Sequence, residues 1–146
     1  MSIYHKILIT VDLSANSSLV IQRAQAIAAS SASITLLHVV EYIPVEPLGE
    51  MVIPTMRMDT ELVNRATDKL SALASQHGLV CEQRVVVGNT KTEIQYVAQQ
   101  IGADLLVVGN NERHGLSALL NFTEDTVLHT APCDVLAVHL PEPATS

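Results

Sequence analysis

The sequence predicts an α/β fold: a single doubly wound sheet of five parallel strands in the order 3-2-1-4-5, with helices on both faces. Three observations lead there. Five short apolar runs alternate with longer stretches of helical periodicity, the pattern of βαβ units around a parallel sheet. Four of the runs are predominantly apolar, as strands covered on both faces must be. The chain has 146 residues, 48% hydrophobic and 16% charged, which suits one ordered domain that buries a core without disulfides or a structural metal. The domain is expected over residues 1–140, with "PEPATS" at 141–146 as a flexible tail.

Taken in order, the strands are read as "ILITV" at 7–11, "ITLLHVV" at 34–40, "VVV" at 85–87, "LLVVG" at 105–109 and "VLAV" at 135–138. The third follows "CEQR", polar enough for an edge strand. Between the strands, Val20, Ala24, Ile27 and Ala28 fall on one helical face, as do Leu62, Ala66, Leu70 and Leu73, and Ile94, Val97, Ala98 and Ile101. "TKTE" at 90–93 has capping-box spacing and starts the third helix just after Gly88. A fourth helix is read from Leu116, Leu119, Leu120, Thr123 and Val127. In the segment 41–58, Pro44, Pro47 and Pro54 forbid a continuous helix and predict a mobile connection near the carboxyl end of the sheet.

Charge and motif content exclude several functions. Eight Lys+Arg against fifteen Asp+Glu leave a formal net charge of -7, a field that repels phosphate backbones and anionic membranes, so neither nucleic acid nor a membrane is an expected partner. The amino terminus lacks a signal-peptide core and no apolar run is long enough for a span, so a cytoplasmic protein is expected. Cys81 and Cys133 have no ligand or disulfide spacing and read as small apolar residues of a reducing compartment. GxxxxGK[ST], GxGxxG after a strand, GxSxG and HExxH are all missing, and so is the acid and lysine set of a phosphate receiver. Among the six histidines, His38 reads as a hydrogen-bonded core residue, His114 and His129 lack ligand spacing, and His5, His77 and His139 have solvent as their easiest partner. No catalytic set and no metal cluster is expected. What remains is the carboxyl edge of the sheet. Strands one and four are neighbours there whose connections leave to opposite faces, which opens a crevice between Asp12 and Gly109.

Four stretches together carry a family resemblance: "HKILITVDLSANSSLVIQRAQAIA", "ITLLHVVE", "GADLLVVGNN" and "TAPCDVLAV". Across nearly its whole length the chain resembles the universal stress proteins. The resemblance implies an adenine nucleotide alpha hydrolase-like fold, a soluble homodimer, a role in survival of stress or growth arrest, and in many members ATP binding without a well-defined reaction. The ATP-binding members carry G-x2-G-x9-G-[ST] in the loop after the fourth strand. Here Gly109 and Thr123 match, but Glu112 and Phe122 stand where the second and third glycines would be. Asp12, the Val40 backbone, Gly109, Asn110, Asn111 and Thr123 match positions that hold adenine, ribose and phosphate in those members, and Arg113 is the loop's one cation.

Two physical effects oppose ATP. A non-glycine residue in a left-handed conformation costs about 1–2 kcal/mol. A carboxylate about 4 Å from a phosphate adds up to about 4 kcal/mol of repulsion near a protein surface. A loss of about 3 kcal/mol weakens a site more than a hundredfold. The missing glycines resemble the family's A-type branch, which does not bind ATP. The family dimerises through its last strand, here "DVLAVHL", and an apolar strand at an uncovered sheet edge invites antiparallel pairing with its own copy. Val135, Ala137 and Val138 are the expected interface residues. The reading is therefore a homodimeric stress-response protein that works through protein partners, without catalysis and with weak or absent ATP binding. The alternatives are an ATP- or AMP-binding switch using the crevice, and a slow nucleotide hydrolase or self-phosphorylating enzyme with Thr123 or Ser117 as acceptor.

Overall fold

In "KILIT" the four residues after Lys6 are all buried, because this strand lies in the middle of the sheet and both of its faces are covered. The structure, a computed structural model, describes residues 3–41, 52–110 and 133–140, and of 52–59 and 110 only the backbone. The elements run β1 (Lys6–Thr10), α1 (Ser17–Ile27), β2 (Ser33–Glu41), α2 (Val52–Gln76), β3 (Glu82–Gly88), α3 (Thr90–Ile101), β4 (Leu105–Asn110) and β5 (Asp134–His139). The strands form one sheet of order β3-β2-β1-β4-β5, all pairs parallel, as the sequence predicts. The fourth helix and the tail lie outside the described residues.

Alternation along the strands divides the core in two. Ile7, Ile9, Leu36, Leu105, Val107 and Val138 face one side, where Val20, Ile21 and Ala24 of α1 and Leu70 and Ala74 of α2 cover them. Leu8, Leu37, Leu106 and Val108 face the other, under Ile94, Val97 and Ala98 of α3. At the amino end of the strands, the Asp104 carboxylate accepts the backbone N–H groups of His5 (2.8 Å) and Lys6 (3.0 Å), and the Tyr4 hydroxyl donates to Asp134 (2.9 Å). The bond to Asp134 holds the phenol proton and is the main reason the Tyr4 pKa is raised. Gly102 ends α3 in a left-handed conformation (φ 66°), and its N–H reaches the carbonyls of Ala98 and Gln99, a closure that a side chain at this position would strain.

Several local expectations change. The third strand is longer than "VVV": Glu82, Gln83 and Arg84 pair with Thr35, Leu36 and Leu37, because an edge strand tolerates polar residues, and Arg84 is held by Glu82 (2.6 Å) and Gln100 (2.8 Å). Pro54 sits within α2. It falls in the first turn, where N–H groups have no helical acceptor and a proline costs little; residues 42–51 lie outside the described residues. Leu62 is 43% exposed, and Ala74 joins Ala66 and Leu70 on the buried face. At 25 residues, about 37 Å at 1.5 Å per residue, α2 is far longer than the strands it covers. His77 is bonded to Ser18 (2.9 Å) and so links α2 to α1, rather than turning to solvent.

The start of α3 is displaced by one residue from the capping-box reading. Asn89 is the cap, its side-chain oxygen accepting the Thr92 N–H at 3.1 Å, which frees the Thr90 hydroxyl for another partner. Replacing Asn89 with alanine is expected to lower stability by about 1 kcal/mol, read as a lower urea midpoint with an unchanged slope; an unmoved midpoint would show the cap to be dispensable.

Candidate functional site

At the carboxyl edge of the sheet, a crevice of about 320 Å³ opens where the sequence predicts it. β1 contributes Thr10 and, just beyond its end, Val11 and Asp12; β2 contributes His38, Val39, Val40 and Glu41; and β4 contributes Gly109. Asn16, Ser17 and Val20 border it from the start of α1, Thr90 and Ile94 from the start of α3, and Leu140 from the end of β5. The wall thus mixes valine, isoleucine and leucine with about as many polar residues, a make-up suited to a small organic ligand with both apolar and polar faces.

Asp12 is fixed by the turn it begins. Its Oδ1 accepts the Ser14 N–H at 2.9 Å and the Ser17 hydroxyl at 3.3 Å. Asp12 is not the helix cap: Asn16 occupies that position and makes no side-chain capping bond. Between Asp12 and Ser14 the chain turns through Leu13 in the left-handed region (φ 64°), a conformation costing about 1–2 kcal/mol in a residue with a Cβ. Leu13 also packs against the core over α1. Strain next to a crevice is of the kind that holds a side chain in place for a ligand.

His38 departs from the expectation of a core residue. It does make a hydrogen bond, with Nδ1 2.8 Å from the Val11 carbonyl, but it is half-buried and lines the crevice. A carbonyl only accepts, so Nδ1 carries the proton and Nε2 of the neutral ring is an acceptor. Glu41 receives the Thr90 hydroxyl on Oε1 at 2.7 Å, tying the end of β2 to the first residue of α3. Sequence reasoning missed His38, Glu41 and Thr90 as site residues. The available signal was positional, since each is polar and lies at or near the carboxyl end of an apolar run or at the first turn after one.

Of the predicted ligand positions, Asp12, Val40 and Gly109 come together. Asn110 ends β4 in register with His139. Asn111 and Thr123 lie outside the described residues, as do Glu112, Arg113, Ser117 and Phe122. Gly109 has a reason of its own to be glycine. Its φ is not positive; a Cβ there would stand 2.8 Å from Leu140 Cδ1 and 3.3 Å from Val20 Cγ2, so a side chain would have to displace Leu140 and press on Val20. The predicted interface residues divide: Val138 is buried in the protein's own core, Val135 is half-buried against the α3 side, and Ala137 is exposed. Among the described residues no cluster of metal-ligating side chains occurs, and no helix is long and apolar enough to cross a membrane. Cys81 and Cys133 are free, and burial raises both thiol pKa values, leaving them poor nucleophiles.

A parallel sheet of this order, with its crevice at the point where the winding reverses, defines a doubly wound α/β domain. The model of the universal stress protein family matches residues 3–139, and the chain belongs to that family. It is 37% identical over 142 residues to universal stress protein A homolog 1 of Coxiella burnetii (strain RSA 493 / Nine Mile phase I), covering 95% of this chain and 99% of that one. Among solved structures it is similar in fold to the hypothetical protein MJ0577 (TM-score 0.74, 21% identity, 96% of this chain and 99% of that one). It is also similar to a universal stress protein in complex with cAMP (TM-score 0.58, 24% identity, 96% and 100%) and to a family protein from Arabidopsis thaliana with AMP bound (TM-score 0.54, 18% identity, 96% and 96%).

Gly109→Ala is expected to destabilise the protein by about 1–3 kcal/mol through overpacking. Chemical denaturation measures the loss, and combining the substitution with Leu140→Ala should cost less than the sum of the two single losses. Full stability in the single variant would contradict the packing role.

Proposed function

We propose that this protein serves stress response in the cytoplasm as a non-catalytic homodimer, and that its crevice takes a small adenine ligand of the AMP class with weak or absent binding of ATP. The crevice itself carries the reading. It sits at the switch point of the sheet, with Asp12 held in a strained turn beside the end of β1, the Val40 strand end within reach for backbone bonding, and an apolar wall for a purine. The AMP and cAMP complexes of two proteins of similar fold support the ligand class. Two sequence features weigh against the triphosphate: Glu112 and Phe122 replace glycines of the family's ATP pattern. A ligand that binds without being transformed would act by favouring one arrangement of the protein over another, and so by changing what it contacts.

For the dimer, β5 is an outer strand of the sheet, paired with β4, and its sequence "DVLAVH" leaves an apolar edge suited to a second copy. Val138 serves the protomer's own core, so the pairing would rest on the strand's backbone and on Ala137, with Val135 beside it.

Calorimetric titration of nucleotide-stripped protein is expected to show AMP binding at micromolar to low millimolar concentration, lost in Asp12→Ala. Unchanged affinity in that variant would remove the assigned site. Sedimentation at micromolar concentration is expected to give a dimer, and a monomer there would reject the edge-pairing reading.

A further inference from the structure

Resting on the adenine-ligand reading, we infer that the crevice sorts ligands by charge, taking the uncharged nucleoside in preference to its phosphate esters, and that Glu41 sets this preference. The two helix amino termini that border the crevice are the groups that would ordinarily welcome a phosphate. Beside each stands a carboxylate of the protein. At α1, Asp12 accepts the Ser14 N–H in the preceding turn and the Ser17 hydroxyl; at α3, Glu41 accepts the hydroxyl of Thr90, the helix's first residue, at 2.7 Å. Within α3 the Thr92 N–H is taken by the Asn89 side chain and the Glu93 N–H by the Asn89 carbonyl.

No lysine or arginine is among the described residues that line the crevice. A cavity of about 320 Å³ also stands at the small end of the range of about 300–1,000 Å³ typical of ligand pockets.

Carboxylates favour what a nucleoside offers, namely ribose hydroxyl and exocyclic amine donors, and they oppose a phosphate; Glu41 is exposed, so solvent and salt screen that repulsion and its effect is modest. Glu41 is the better discriminator of the two. It lies at the strand end beside Val40, and the Thr90 hydroxyl keeps its carboxylate from swinging away.

The test is calorimetry of the full chain with adenosine and with AMP, at low and high salt, in the wild type and in Glu41→Gln, which keeps an oxygen for the Thr90 hydroxyl and removes the charge. Adenosine should bind at least about threefold more tightly than AMP at low salt, with the gap narrowing as salt rises. Glu41→Gln should shift the AMP-to-adenosine affinity ratio by at least about threefold toward AMP. AMP equal to or tighter than adenosine in the wild type, or an unchanged ratio in the variant, overturns charge sorting and leaves the adenine reading standing. Binding of neither compound overturns both.

Discussion

Two-sided burial of β1 is the constraint on which the rest depends. Ile7, Leu8 and Ile9 are fully buried, and β1 pairs with β2 on one edge and β4 on the other. A strand in that position is apolar along its buried length, with Thr10 at its end satisfied by the Val107 carbonyl at 3.4 Å, and its alternation feeds both halves of the core at once. The chain leaves it for α1 on one face and returns to its neighbour β4 from α3 on the other. The gap above β1 is therefore not filled by a crossing connection, and Asp12, two residues past the strand, stands at its wall. Fold and site follow from the same burial.

This explains what could be read from residues alone. Sheet order and the placement of Asp12, Val40 and Gly109 follow from predominantly apolar runs in parallel units, because such runs have one stable arrangement and their carboxyl ends must share one edge. Features set by position in the finished sheet were not legible. Whether Glu82 belongs to a strand depends on β3 being an edge; whether Leu62 is covered depends on how far α2 overhangs; and Pro54 is tolerated only because the helix begins two residues before it. His38, Glu41 and Thr90 belong to the same class. Nothing in the spacing of 38, 41 and 90 brings them together, and the pairing of β2 with β3 followed at once by α3 does.

Within the site, polar groups are satisfied largely by each other. The Asp12 carboxylate, the Glu41 carboxylate and the His38 ring each have a partner that orients them, and these partners come from the adjoining turn, the start of α3 and the end of β1. Such a wall has little reorganisation to undergo when a ligand arrives, so affinity depends on the match between fixed acceptors and the ligand's donors. The two free thiols are not among the residues that line it.

The contact of Gly109 with Leu140 and Val20 bears on how the glycine pattern of the family is interpreted. A glycine held partly by packing matters to stability whether or not a ligand binds, so its presence at 109 is by itself uninformative about nucleotides. The glycine positions of the ATP pattern thus carry unequal weight: one answers to the core, and the bearing of Glu112 and Phe122 is on the ligand alone.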